Sequence, residues 1–242
     1  MNNRKNIFLM IVVISIFFFG CEKTGYLDDG GVHPTNVDMT TYDFLASHPY
    51  FDTLIMLIDK AGLKETINGD VTFFAPTDFG IKRYLRANWA DALGLDAFAD
   101  PVELDDIPLQ TLQDSLKMYI IPGKINRNDM SSEGEVYTTL LGNEVKISLE
   151  ERPNLFPYTE PVGGAAWWAT FPAIVSSYPS YVFYTMIVGE LDTPENPPAE
   201  GEIDKEVLIQ TSGIETTNGV LHVLSNRHTL FFYEQIYFPP GF

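Results

Sequence analysis

The stretch TFFAPTDF, residues 72–79, reads as the end of a strand joined to the start of a helix. Its apolar run, Phe73 to Ala75, stops at Pro76, which has no N–H to offer a neighbouring strand and whose ring fixes φ. Thr77 and Asp78 follow, and short oxygen-bearing side chains accept hydrogen bonds from the free N–H groups of a helix's first turn. Asp78 also meets the positive end of the helix dipole. The pattern therefore predicts a buried strand over residues 71–75 and a helix carrying Ile81, Tyr84 and Leu85. On this reading Asp78 caps its own helix and is not a catalytic acid.

Upstream, Thr40 or Thr41 can cap a short helix TYDFLASH that Pro49 follows. A second helix, FDTLIMLIDKAG, puts Phe51, Leu54, Ile55 and Ile58 on one face before Gly62 ends it, and Asn68-Gly69 makes a turn. Downstream, residues 86–110 read as irregular and acidic, and Thr111 and Asp114 have the spacing of a capping box. KMYIIPGKI is a strand broken by Pro122 and Gly123, and EVYTTLLGNEVKISLE is a hairpin turning at Gly142 and Asn143. A strand over residues 181–188 and strands around EVLIQTS, GVLHVL and HTLFFYEQIYF close the chain. Helices come mostly early and strands mostly late, so the fold class is α+β, one domain over residues 38–238. An aromatic and proline-rich insertion occupies about residues 151–202.

Residues 1–21 read as a targeting signal. Arg4 and Lys5 precede an apolar run from Ile7 to Phe19, and Gly20 and Cys21 close it. Cys21 is the only cysteine in the chain, so no disulfide can form within it. A lone cysteine at that position resembles a bacterial lipoprotein, which implies lipidation of Cys21, a flexible tether over residues 22–37 and a place on the outer membrane, on the cell surface. The formal net charge is −18, and removing the signal leaves 13 basic and 33 acidic residues. Such a balance argues against nucleic acid as a partner, because phosphate binding needs Lys and Arg to displace counterions. It also means that a lipid, not a basic surface, would hold the protein at a membrane.

Four stretches in order resemble the fasciclin family. TFFAPTDF is similar to its first motif, with Pro76, Thr77 and Asp78 at the turn, and TTNGVLHVL to its second, with Asn218, Gly219 and His222. MYIIPGK is similar to its tyrosine and Pro-Gly-Lys segment, and YDFLASHPYFDTLIMLIDKAGL to its opening helices. The resemblance implies a wedge of two small β-sheets flanked by helices, an extracytoplasmic adhesion or binding role, and no enzyme activity or cofactor. Where the family often has Tyr-His, this chain has Tyr119 and Ile120, so receptor adhesion through that pair is not carried over.

The sequence holds no GxSxG, HExxH, GxxxxGK[ST] or GxGxxG pattern, and its four histidines stand in no metal-ligand spacing, so no metal is expected. His222 shares a strand face with Val220 and Leu224, and a neutral imidazole there needs a partner, expected in the Thr77–Asp78 turn or nearby backbone. Function is sought in the insertion, where Tyr158, Trp167, Trp168 and Phe171 offer rigid aromatic area for sugar rings or a protein interface. The leading expectation is a lipid-anchored binding or scaffolding module, an accessory subunit of an outer-membrane importer of glycans or peptides. Direct adhesion to host or matrix polymers is a second reading. A third, a glycan hydrolase, would need two carboxylates roughly 5 to 10 Å apart in a cleft.

Overall fold

The structure, a computed structural model, describes residues 36–93, 104–152, 180–199 and 201–232. Cys21, the signal and most of the tether lie outside the described residues, as do Tyr158, Trp167, Trp168 and Phe171.

Strand β1, Val71–Ala75, is buried at all five positions, as a continuous apolar run bounded by turn residues requires. It pairs antiparallel with β2, Ile120–Pro122, and parallel with β7, Val220–Leu224, which is also buried throughout. The remaining strands are β3 (Glu135–Thr138), β4 (Glu144–Glu151), β5 (Ser180–Met186) and β6 (Lys205–Glu215). The seven hydrogen-bond in the order β2-β1-β7-β6-β5-β4-β3. Long β6 is shared: residues 205–208 pair with β5 and residues 209–215 with β7, with two register shifts on the β7 side. Bulges of this kind bend and twist a strand. The two ends of the order also meet, because Leu140 N–H, just after β3, donates to the Ile120 carbonyl of β2 at 2.8 Å. The sheet thus curls towards a barrel and covers its own edge.

Helices α1 (Thr41–Ala46), α2 (Asp52–Ala61), α3 (Lys64–Ile67), α4 (Asp78–Leu93) and α5 (Leu109–Lys117) accompany the sheet. Gly62 ends α2 in the left-handed region, at φ 68°, as a glycine C-cap does. Leu45, Leu54, Leu57, Ile58, Phe73, Phe74 and Tyr184 belong to one continuous core.

Several expectations are corrected. Helix α4 runs on to Leu93, into the stretch read as irregular. Helix α5 starts after Pro108, so Thr111 and Asp114 lie inside it, and Asp114 accepts from Gln110 one turn back instead of completing a capping box. Leu57 joins Leu54 and Ile58 on the buried face of α2, with Ile55 only partly buried at its margin. In HTLFFYEQIYF the described residues give no strand: Leu230–Phe232 is a 3-10 turn, with Phe231 and Phe232 at φ 63° and 54°. Asn36 and Val37, read as tether, are bound to the end of β6, Val37 N–H donating to Glu215 O at 2.8 Å. The span 151–202 contains β5, whose Phe183 and Tyr184 are buried, so those two aromatics belong to the core.

Candidate functional site

The two motif stretches lie side by side, because β1 and β7 pair in parallel with Phe74 opposite His222. What they do there differs from the expectation. Asp78, 6% exposed, does not cap its own helix; its carboxylate accepts from Thr53 N–H (3.0 Å), Thr53 Oγ1 (2.9 Å) and Leu54 N–H (3.1 Å). These are first-turn donors of α2, whose N-cap residue Phe51 supplies no side-chain acceptor. Asp78 N–H donates in turn to Tyr50 O at 3.0 Å, so the starts of α2 and α4 are fastened to each other. The carboxylate carries charge-assisted bonds to otherwise orphaned N–H groups. Thr77 is likewise not a cap acceptor: its hydroxyl donates to Asn226 Oδ1 at 2.9 Å, linking Pro76-Thr77 to the turn after β7.

The second motif does the same for α1. Asn218 Oδ1 accepts from Thr41 N–H at 3.0 Å and its amide donates to Asn68 O. Asn68 Oδ1 takes Tyr42 N–H at 3.0 Å and Thr40 Oγ1 takes Asp43 N–H at 3.1 Å, so three side chains from three places serve the first three N–H groups of α1. Gly219 is required by space: a Cβ there would stand 2.6 Å from Val71 O. Only a glycine lets the two backbones approach so closely.

His222 lies between the motifs, fully buried and stacked on Phe74 with ring centroids 4.9 Å apart. Gly213 N–H donates to Nδ1 at 3.2 Å, so the ring proton sits on Nε2 and goes to Ile125 O at 3.0 Å. The expected bond to the Thr77–Asp78 turn is not made; the partners come from the bulged part of β6 and the segment after β2. Burial pushes the His222 pKa down to about 4, against a smaller upward pull from the Ile125 carbonyl. A second buried imidazole was not singled out from the sequence. His228 Nε2 accepts from the Tyr119 hydroxyl at 2.8 Å, and that hydroxyl accepts from Phe231 N–H at 2.8 Å. Burial pushes His228 down to about 3 and Tyr119 far up, so both groups stay neutral. Tyr119 and His228 are 109 positions apart, and no local spacing announces them. His48 is tied down as well, with Nδ1 2.8 Å from Phe44 O. Among the described residues no three His, Cys, Asp or Glu side chains gather as a metal would need.

The surface offers two further features. Tyr50 and Phe79 are 61% and 52% exposed and stack with centroids 6.5 Å apart, directly above the Asp78 cap. At the far end of the sheet, Glu151 pairs with Ser180, so the insertion leaves and rejoins the domain at adjacent positions. That doorway is clamped: Arg127 donates to Ser180 O at 2.9 Å, and Arg152 bonds Glu150 at 2.7 Å and Glu206 at 2.8 Å while lying over the Phe183 ring.

Comparison with known proteins gives a match to the fasciclin domain over residues 49–163, just under half of the chain. No curated protein matches. Among solved structures the chain is similar to a FAS1 domain pair from the insect cell adhesion molecule fasciclin I, with 15% identity and a TM-score of 0.45. That alignment covers 77% of this chain and 49% of the other, so the chain spans about half the length of the pair.

Proposed function

We propose that the chain is a lipid-anchored, extracytoplasmic binding or scaffolding module, built as a fasciclin-type wedge of two small sheets and serving an outer-membrane importer of glycans or peptides as an accessory subunit. The matched family is an adhesion-type domain, with no enzymatic family indicated. The observation that carries the reading is the clamped doorway between Glu151 and Ser180, from which a sequence containing Trp167, Trp168, Phe171 and Tyr158 departs. Two strand ends held as neighbours fix the base from which residues 153–179 depart, and aromatic side chains give binding area at small entropic cost. The described imidazoles support the same view, since His48, His222 and His228 are all engaged within the fold.

Anchoring would come from Cys21, the lone cysteine that closes the apolar run Ile7 to Phe19; among the described residues no helix is long and apolar enough to cross a membrane. The test is co-purification of the full chain from membranes in mild detergent. An integral outer-membrane partner is expected, lost in the Trp167→Ala, Trp168→Ala double variant and in Cys21→Ala. Recovery of the chain by itself would overturn the importer reading; a glycan array signal abolished by the same double variant would then point to direct adhesion.

A further inference from the structure

Helix α4 is two-faced. Gly80, Ile81, Tyr84 and Leu85 turn inward, and Gly80 packs so closely that a Cβ would stand 2.5 Å from His228 O. Phe79, Lys82 and Arg83 occupy the i, i+3, i+4 stripe on the other side. Arg83 reaches Asn226 O at 3.5 Å, which places exposed Arg227 beside that stripe, and Tyr50 extends it by stacking on Phe79. The sequence FGIKRYLRA, residues 79–87, contains three cations and no acid. Elsewhere in this acidic chain Lys60, Lys117, Lys124 and Arg152 each stand within 4.0 Å of a carboxylate. Among the described residues no carboxylate comes that close to Lys82 or Arg227. Lys82 and Arg227 gain nothing from like charges nearby and an exposed aromatic stack buries little, so these residues contribute little to the fold, whereas Arg83 is held through Asn226 O.

We propose that Tyr50, Phe79, Lys82 and Arg227 form a docking surface for an acidic polysaccharide, a glycan bearing carboxylates on its sugar rings. Aromatic faces stack on the C–H faces of sugar rings, while Lys and Arg meet the carboxylates, Arg through paired N–H donors. The chain's net charge of −18 selects the shape of the ligand. A thin polymer touches the patch alone. A planar anionic membrane would face more of this acidic surface, where carboxylates outnumber cations, than a single polymer strand does. Nucleic acid, with one charge per roughly 1.7 Å of duplex, asks for more cations than the patch holds. The surface is independent of the insertion, and its failure would leave the importer reading standing.

The test is a titration of the full chain in mild detergent with polygalacturonate, with the same polymer after carboxyl reduction, and with phosphatidylglycerol vesicles. Saturable binding to polygalacturonate is expected, weakening as salt rises and falling about ten-fold or more for the reduced polymer. A similar loss is expected in the Lys82→Glu, Arg227→Glu double variant, and Phe79→Ala should lose several-fold affinity with an unchanged melting temperature. Absence of polygalacturonate binding, binding undiminished by the charge reversal, or binding to vesicles in place of the polymer would each overturn the proposal.

Discussion

Along the line where β1 meets β7, the polar side chains that the motifs supply are buried and bonded: Asp78 to the first turn of α2, Asn218 to the first turn of α1, His222 to Gly213 and Ile125. On the outer face of α4, one residue beyond Asp78, Phe79 and Lys82 project into solvent. The first region closes hydrogen bonds that the helices and strands cannot close among themselves; at the second, Phe79 and Lys82 face solvent while Arg83 makes a long bond to Asn226 O. The difference teaches that a sequence motif can be mostly carpentry, its polar side chains spent on the fold, while the solvent-facing residue beside it is left for other uses.

The largest effect that tests this contrast is acid sensitivity. His222 and His228 have ordinary unfolded values near 6.5 and folded values of about 4 and about 3. Between these limits the unfolded chain binds more protons, so stability is full above pH ~6.5 and falls as pH drops towards the folded values. Fully developed, that loss is on the order of 3 kcal/mol for His222 and on the order of 5 kcal/mol for His228. Urea unfolding followed from about pH 6 to pH 5, above the carboxylate range, should show uptake of about two protons per molecule, reduced to about one in His222→Gln. An unchanged uptake would show that His222 is not held neutral by burial.

Next in size is the cross-helix cap. Asp78→Ala leaves Thr53 and Leu54 N–H groups without their acceptor and should cost roughly 2–4 kcal/mol, read as a lower urea midpoint with unchanged slope. Gly219→Ala should cost about 1–3 kcal/mol, because the new methyl must displace the Val71 carbonyl in a tightly packed seam. A Gly219→Ala variant as stable as the parent would mean that β1 and β7 can part at no cost.

Much of this fold is legible in the sequence. Local pattern fixed β1, the β3–β4 hairpin and helices α1 and α2, because apolar periodicity and turn residues act over a few positions. Partnerships across the chain are another matter. Asp78 beside Pro76 and Thr77 has the local signature of an N-cap, and no spacing reveals that its acceptor oxygens serve a helix that begins 26 residues earlier, at Asp52. The same holds for His222, whose partner was expected in the Thr77–Asp78 turn or in nearby backbone and proves to be backbone, at Gly213 and Ile125, and for the Tyr119–His228 pair. The strand expected over residues 181–188 is present as Ser180–Met186, although the bounds drawn for the insertion, 151–202, enclosed it; the pairing of Glu151 with Ser180 puts it in the sheet. The outer stripe of α4 was not singled out from the sequence, because Phe79 and Lys82 in DFGIKR look like ordinary helix positions until the exposure of Tyr50 and Phe79 makes a surface.

The sharpest measurement compares the neighbours Asp78 and Phe79, one buried and one exposed, in two single variants, each followed by urea unfolding and by polygalacturonate titration. The account predicts that Asp78→Ala loses roughly 2–4 kcal/mol of stability and, while folded, keeps its affinity, whereas Phe79→Ala stays within about 0.5 kcal/mol of the parent and loses affinity. A stable Asp78→Ala variant, or a Phe79→Ala variant that is destabilised with its binding intact, would contradict the division between a structural seam and a recognising face.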